Sequence, residues 1–156
     1  MYTIRPAVLT DAALIHEIKM RAFAEEGRLS QSTEIPPLTE TVAEIERDIQ
    51  THTVLIARDE TRIVGSARGI VTGTGCTVRA VFVEPSLHGL GIGGALVNAV
   101  EAAHPNAERF ELTTNTRVPG NVAFYERRGY RVVELTTYSE NIVLAQMCKN
   151  ATARHS

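Results

Sequence analysis

Residues 76 to 114 constrain the fold of this 156-residue chain more than any other stretch. CTVRAVFVE (76–84) alternates like a strand and stops at a proline. HGLGIGG (88–94) then places four glycines in seven positions, and an apolar helical pattern continues to residue 103. RFELTT (109–114) is strand-like again. Since a strand, a helix and a second strand form a right-handed crossover, the two strands are predicted to be parallel neighbours.

Hairpins are predicted on both sides of this crossover. TVLIAR (53–58) and RIVGSARGIV (62–71) are separated by a short DET turn, which is typical of an antiparallel pair. YRVVEL (130–135) and NIVLAQMC (141–148) form a second such pair near the end of the chain. A short helix between residues 114 and 130 has Pro119 near its start and Gly129 just past its end.

The first fifty residues predict one short strand and two helices. Residues 2–5 alternate like a strand, Thr10 is placed to cap the first helix, and Val42 opens the apolar face of the second. GRLSQSTEIPP (27–37) is predicted to be a loop because of its glycine, serine and proline content. The order of elements indicates an α/β fold: a mixed, mostly antiparallel sheet of about seven strands with helices on both faces.

Composition limits the classes of function. A formal net charge of −2 argues against nucleic acid as a partner, and no apolar run approaches the length of a membrane span. The N-terminus lacks an apolar signal core, so a cytoplasmic location is expected. Cys76 and Cys148 lie in apolar strand-like runs without a CxxC or histidine cluster, which predicts buried thiols and no metal site. We expect one domain over residues 1–150, a disordered tail over 151–156, and a monomer or homodimer.

The glycine segment fits several kinds of turn. A nucleotide P-loop requires Gly-Lys-Ser/Thr, but Gly94 is followed by Ala95. The dinucleotide pattern G-x-G-x-x-G matches from Gly89 to Gly94, although residues 85–88 separate the strand from the first glycine. A pyrophosphate cradle at the start of a single crossover helix needs no such tight turn. A turn without a ligand is disfavoured, because each glycine inside a helix costs roughly 0.5–1 kcal/mol relative to alanine.

Two segments resemble a known family. VFVEPSLHGLGIGGALV (81–97) resembles the acetyl-CoA-binding signature of the GNAT N-acetyltransferase superfamily, and NVAFYERRGY (121–130) resembles its second signature. The two segments have the order and separation of that family. The resemblance covers about residues 2 to 149 and is most specific over residues 81–130.

This resemblance implies a cofactor, acetyl-CoA as acetyl donor, and roles for individual residues. Backbone amides of the glycine segment would hold the CoA pyrophosphate: His88, Gly89, Leu90, Gly91, Ile92, Gly93 and Gly94. The strand end, Val81, Phe82 and Val83, would pair with the pantetheine arm, and a backbone N–H near Val83 would polarise the thioester carbonyl. Asn121 would hydrogen-bond the arm or a water beside it, and Tyr125 would protonate the departing thiolate. His88 stands where the family usually has glutamine or arginine, which puts a side-chain contact to phosphate in doubt.

Other residues keep more than one interpretation. Arg127 and Arg128 either reach CoA phosphates or act as favourable charges at a helix C-terminus. The general base is chosen among Glu84, Glu111, Thr113 and Glu34, or is replaced by a chain of waters. The acceptor is expected to be a primary amine of a small molecule or peptide. Residues 25–48 hold seven acidic side chains against two arginines, which predicts a cationic acceptor.

The leading functional hypothesis is direct transfer of an acetyl group from acetyl-CoA to an amine, without a covalent enzyme intermediate. The first alternative is a module of the same fold that binds acyl-CoA as a sensor and catalyses nothing. The second is a dinucleotide-dependent oxidoreductase, which rests on the glycine pattern alone.

Overall fold

The computed structural model describes residues 1–29 and 36–151. In this part of the chain the helices are α1 (Ala12–Leu29), α2 (Pro36–Thr39), α3 (Val42–Thr51), α4 (Ile92–Ala102) and α5 (Asn121–Glu126). The strands are β1 (Thr3–Pro6), β2 (Thr53–Arg58), β3 (Ile63–Thr72), β4 (Gly75–Val83), β5 (Arg109–Asn115), β6 (Arg131–Ser139) and β7 (Ile142–Asn150). None of the helices described here is long and apolar enough to cross a membrane.

The seven strands of the described residues form one mixed sheet with the order β1-β2-β3-β4-β5-β7-β6. Every neighbouring pair is antiparallel except β4 and β5, which are parallel and joined through α4. The predicted fold class is therefore confirmed, and so is the parallel crossover.

The sheet buries a separate apolar cluster on each face. On one face, α4 packs Leu96, Val97 and Val100 against the strands. On the other face, α1 and α3 pack Ile15 and Ile45 against β2 and β3. Each of these helices therefore covers the sheet with one apolar stripe.

The start of the chain differs from its prediction in two places. A 3₁₀ turn, Leu9–Asp11, precedes α1, and the Asp11 carboxylate accepts a hydrogen bond from the Val8 N–H at 2.8 Å. Asp11 rather than Thr10 therefore organises the entry to α1. The predicted loop 27–37 is also wrong at both ends, because α1 continues to Leu29 and α2 begins at Pro36. Residues 30–35 lie outside the described part of the chain.

The remaining boundaries move by a few residues. The closing strands continue beyond their apolar patterns: β6 reaches Ser139 because it pairs with β7, and β7 reaches Asn150 because its last residues pair with β5. Ala151 donates its N–H to the Glu108 carbonyl at 3.0 Å, so this first residue of the predicted tail is tied to the sheet. The rest of the tail, 152–156, is outside the described residues. Cys76 is buried as predicted, whereas Cys148 is only partly buried.

A β-bulge in β4 changes the direction of that strand. Ser66 pairs with Phe82 and Arg68 pairs with Arg79, so Ala80 and Val81 together lie opposite a single residue of β3. Ala80 has a φ of 52°, in the left-handed region that costs a non-glycine residue about 1 kcal/mol or more. A bulge of this kind bends its strand and increases the local twist.

Strands β4 and β5 separate next to this bulge. They pair only at Cys76 with Phe110 and at Thr77 with Glu111, and no further pair between them follows in the described residues. The second half of β4 is therefore bonded to β3 on one side and leaves its other backbone edge without a strand partner.

Candidate active site

A cleft of about 1040 Å³ lies where β4 and β5 separate. Its walls are the second half of β4, the start of α4, the end of β5 and helix α5, and it extends to side chains of α1 and β3. The cleft therefore joins the open backbone edge of β4 to the glycine segment on one side and to the α1 face of the sheet on the other.

The backbone of Val83 faces this cleft. The Glu84 N–H donates to the Val64 carbonyl at 2.8 Å, which makes Glu84 and Val64 a hydrogen-bonded pair. Because such pairs alternate along antiparallel strands, the next pair, Val83 with Gly65, turns its N–H and carbonyl groups away from each other. The Val83 N–H is therefore directed away from β3, towards the side that β5 leaves open.

The glycine segment provides a row of backbone donors. Gly89 and Gly91 have φ values of 85° and 82°, which favour glycine, and Gly91 is the N-cap of α4. The first hydrogen bond of α4 runs from the Ala95 N–H to the Gly91 carbonyl at 3.1 Å. In the described part of the chain, no hydrogen-bond acceptor is seen for the N–H groups of residues 89–94. These free donors and the positive end of the helix dipole suit an anion.

The other two glycines allow close packing. A Cβ atom on Gly93 would lie 3.4 Å from the Phe124 ring, and one on Gly94 would lie 2.1 Å from the Arg128 guanidinium. That guanidinium stacks on the Phe124 ring at 3.8 Å and donates from Nη1 to the Phe124 carbonyl at 2.8 Å. Arg128 thus binds a carbonyl at the C-terminus of α5 and also places a cation beside the start of α4. The helix-terminus role and the phosphate-contact role expected for it are therefore compatible.

Helix α5 carries the second signature into the cleft. The Asn121 Nδ2 donates to the Thr114 hydroxyl at 3.1 Å, which ties α5 to β5. Tyr125 lines the cleft and makes edge contacts with Phe124, at 4.9 Å between ring centroids, and with Tyr130, at 5.9 Å.

Tyr130 is a structural residue. Its hydroxyl donates to Glu101 at 2.7 Å, and Glu101 also accepts from Lys149 at 2.9 Å. Burial and the Glu101 carboxylate raise the pKa of Tyr130 far above its usual range, so this phenol stays protonated. Of the two tyrosines in the second signature, only Tyr125 borders the cleft.

Nearly all of the predicted cofactor residues line this cleft. They are Val81, Phe82, Val83, His88, Gly89, Gly91, Ile92, Gly93, Gly94, Asn121 and Tyr125. Leu90 does not line it, and its side chain is exposed. The His88 ring hydrogen-bonds the Val83 carbonyl at 3.2 Å through Nε2, so its side chain connects the glycine segment to the strand end. What these residues do toward a cofactor stays a prediction.

The predicted general bases are mostly engaged elsewhere. The Glu84 carboxylate is buried and bonded to Arg21 at 2.8 Å, and Glu111 is paired with Arg109. Neither of them borders the cleft. Thr113 does, but a hydroxyl is a weak base. The fourth candidate, Glu34, lies outside the described residues.

Five charged side chains from five parts of the chain meet at the α1 side of the cleft, and we call them the floor cluster. They are Lys19 of α1, Glu40 before α3, Asp48 of α3, Arg68 of β3 and Arg79 of β4. Sequence reasoning missed the three cations, because lysine and arginine at isolated positions in an apolar helix or strand give no pattern. The strand register places Arg68 opposite Arg79, and the packing of α1 brings Lys19 to Glu40, which also binds Arg68.

Glu40 is the centre of the floor cluster. It accepts from Lys19 at 2.6 Å and from both terminal nitrogens of Arg68 at 2.6 and 2.8 Å. Burial alone would raise the pKa of Glu40, but the hydrogen bonds from Arg68 and Lys19 outweigh it and lower that pKa to about 2. Glu40 is therefore a poor proton acceptor for a substrate amine.

The chain belongs to the GNAT family, because the sequence model of the acetyltransferase (GNAT) domain matches residues 25–151. No curated protein matches the chain in sequence. The fold is also similar to that of solved acetyltransferase structures. The ribosomal-protein-S18-alanine N-acetyltransferase of Escherichia coli matches with a TM-score of 0.78 and 16% identity, over 100% of this chain and 99% of that one.

Two other similar structures contain a coenzyme. PaiA N-acetyltransferase from Thermoplasma acidophilum, in complex with coenzyme A, has a TM-score of 0.75 and 15% identity, over 97% of this chain and 99% of that one. YncA from Salmonella typhimurium, a putative acetyltransferase with its cofactor acetyl-CoA, has a TM-score of 0.75 and 16% identity. The match covers 100% of this chain and 97% of that one. These likenesses support the fold, and the family match excludes the oxidoreductase alternative.

The first prediction concerns the glycine segment. Gly91→Ala places a side chain at a left-handed position, so the backbone donors around it must shift, and we expect about a tenfold weaker Kd for acetyl-CoA, or about 1.4 kcal/mol. Titration calorimetry measures it. Gly73→Ala is the matched control, because Gly73 also has a positive φ of 63° with nothing near its Cβ, but lies in the β3–β4 turn. Equal affinity in both variants would contradict the assignment.

The second prediction concerns pH. The pKa of Glu40 is lowered from 4.5 to about 2. Its contribution to the free energy of unfolding is therefore complete above pH 4.5 and is lost as the pH falls towards 2. We expect this loss to be on the order of 3 kcal/mol. Urea unfolding measured from pH 7 to pH 2 should show that Glu40→Gln lacks this pH-dependent part of the free energy of unfolding. The variant should also be less stable than the unsubstituted protein at pH 7.

Glu46→Gln is the control for this experiment, because Glu46 is an exposed carboxylate on α3. It should keep the pH dependence of the unsubstituted protein. Identical pH profiles for the Glu40 and Glu46 variants would refute the role given to Glu40.

Proposed function

We propose that this protein is an N-acetyltransferase that moves the acetyl group of acetyl-CoA directly to a primary amine. One observation carries the proposal: the unpaired backbone edge of β4 leads into the free N–H groups of residues 89–94 within a single cleft. A pantetheine arm is a chain of amides that can pair with a strand edge, and a pyrophosphate is the anion that a glycine-rich helix start accepts.

In this proposal each part of acetyl-CoA has its own partner. The pyrophosphate lies against the backbone of residues 88–94, with the Arg128 guanidinium beside Gly94 as a further cation. The pantetheine arm adds to β4 at Val81, Phe82 and Val83. Asn121, which one N–H of its amide ties to Thr114, holds the arm from the α5 side through its carbonyl oxygen or its second N–H.

The Val83 N–H carries out the electrostatic part of the reaction. It faces the open side of β4, where it can donate to the thioester carbonyl oxygen as that oxygen becomes negative. A fixed donor of this kind stabilises the developing charge without reorganising. The bulge at Ala80 and the pairing of Gly65 with Val83 hold this donor in place.

Proton transfers complete the reaction. The nearby carboxylate of Glu40 is bound to two cations, so it is not the base. The amine loses its proton to water in the cleft instead. Its nitrogen then forms a bond to the acetyl carbon while the C–S bond breaks. Tyr125 donates a proton to the departing CoA thiolate, and the second proton, which the newly bonded nitrogen loses, returns to Tyr125 through water in the cleft. No covalent enzyme intermediate is needed, since Cys76, whose thiol pKa is raised by burial to about 11, lies in the core and not in the cleft.

The third prediction tests Tyr125. Tyr125→Phe keeps the ring contacts but removes the proton donor, so we expect unchanged acetyl-CoA affinity and a loss of turnover of about 10²-fold or more. Free thiol released from acetyl-CoA with a panel of amines measures turnover. Tyr130→Phe is the matched control five residues away: it should lose stability, because Glu101 loses one of its donors, but keep its turnover.

The outcomes separate the hypotheses. Unchanged turnover in Tyr125→Phe would remove Tyr125 from the mechanism. Tight binding of acetyl-CoA without thiol release on any amine would instead favour a non-catalytic acyl-CoA sensor of the same fold.

A further inference from the structure

The floor cluster has more positive than negative charge. Lys19, Arg68 and Arg79 share two carboxylates: Glu40 pairs with Lys19 and Arg68, and Asp48 pairs with Arg68 at 2.9 Å and with Arg79 at 3.3 Å. The next acidic residue, Glu44, is exposed and accepts from the Thr41 N–H at the start of α3. Three cations therefore face two bound carboxylates at the α1 side of the cleft.

The cluster also has donors that the protein does not use. Arg68 is fully buried and lines the cleft, yet its Nε–H has no acceptor in the described part of the chain. Lys19 is 1% exposed and also lines the cleft, and its ammonium has Glu40 as its one hydrogen-bond partner among the described residues. A buried donor without an acceptor costs about 1–3 kcal/mol, so an added acceptor atom would stabilise this site.

Arg79 connects this excess charge to the open cleft. Its side chain is 52% exposed, lines the cleft, and is bonded to an Asp48 carboxylate that Arg68 already holds. Its planar guanidinium can therefore bind a further anion in a bidentate manner. Arg79 directly precedes the bulge of β4, so it lies within a few residues of Val83, where the thioester would be held.

We propose that the acceptor is an amine that also carries an anionic group, a carboxylate or a phosphate, and that Arg79 and the cations behind it bind this group. This proposal rests on the proposed acetyltransferase function and names its class of acceptor. An anionic acceptor thus takes the place of the cationic acceptor that the acid-rich segment 25–48 predicts. Two acidic residues of that segment, Glu40 and Asp48, are neutralised by cations from other elements.

The test compares acceptors in matched pairs with the full chain and acetyl-CoA. Each free amino acid is compared with its amide, and phosphoethanolamine with ethanolamine, so that the members of a pair differ in their anionic group. We expect kcat/KM to be at least tenfold higher for the anionic member of a pair. A preference confined to carboxylates or to phosphates identifies which anion the site takes.

Arg79→Gln tests the residue. It should raise KM for anionic acceptors about tenfold or more, change kcat little, and leave neutral acceptors unaffected. Arg131→Gln on the exposed strand β6 is the matched control and should behave like the unsubstituted protein. If the amides and ethanolamine were acetylated with a kcat/KM equal to or higher than that of their anionic partners, this inference would be overturned and the acetyltransferase proposal would stand. Acetyl-CoA binding without turnover on any pair would overturn both.

Discussion

The separation of β4 from β5 is the constraint on which the site depends. Two residue pairs join these strands, and the bulge at Ala80 then turns β4 away while its other edge stays bonded to β3. A parallel sheet that stayed closed would satisfy these backbone groups internally and leave no cleft. Because the strands separate, the N–H of Val83 faces open space, and the start of α4 lies at the end of the same opening.

The separated strands need support from both faces of the sheet. On one face α4 and α5 hold the opening, with Arg128 stacked on Phe124 and Asn121 bonded to β5. On the other face the floor cluster joins α1, α3, β3 and β4. A buried ion cluster is weak evidence for stability, but removal of one partner leaves an uncompensated charge, so such a cluster fixes the relative positions of its elements.

The sequence predicted the features that are local. The crossover at 76–114 and the hairpins follow from periodicity, and the glycine segment follows from its four glycines, which the structure divides into two with positive φ and two in close contact with α5. The role of Asp11 was missed because the entry to α1 depends on a side chain that folds back on the backbone, and the end of α1 was missed because the helix continues through Gly27. The floor cluster was missed because its members are far apart in the sequence and meet only through the register of β3 with β4 and the packing of α1 and α3 on the sheet.

Amide hydrogen exchange with and without acetyl-CoA tests the central claim most directly. If the cofactor adds to the open edge of β4 and binds the glycine segment, the Val83 amide and the amides of residues 89–94 should exchange more slowly when it is bound. The β6–β7 hairpin, away from the opening, should be unchanged. Slower exchange confined to other segments, or no change at Val83 at saturating acetyl-CoA, would contradict the account.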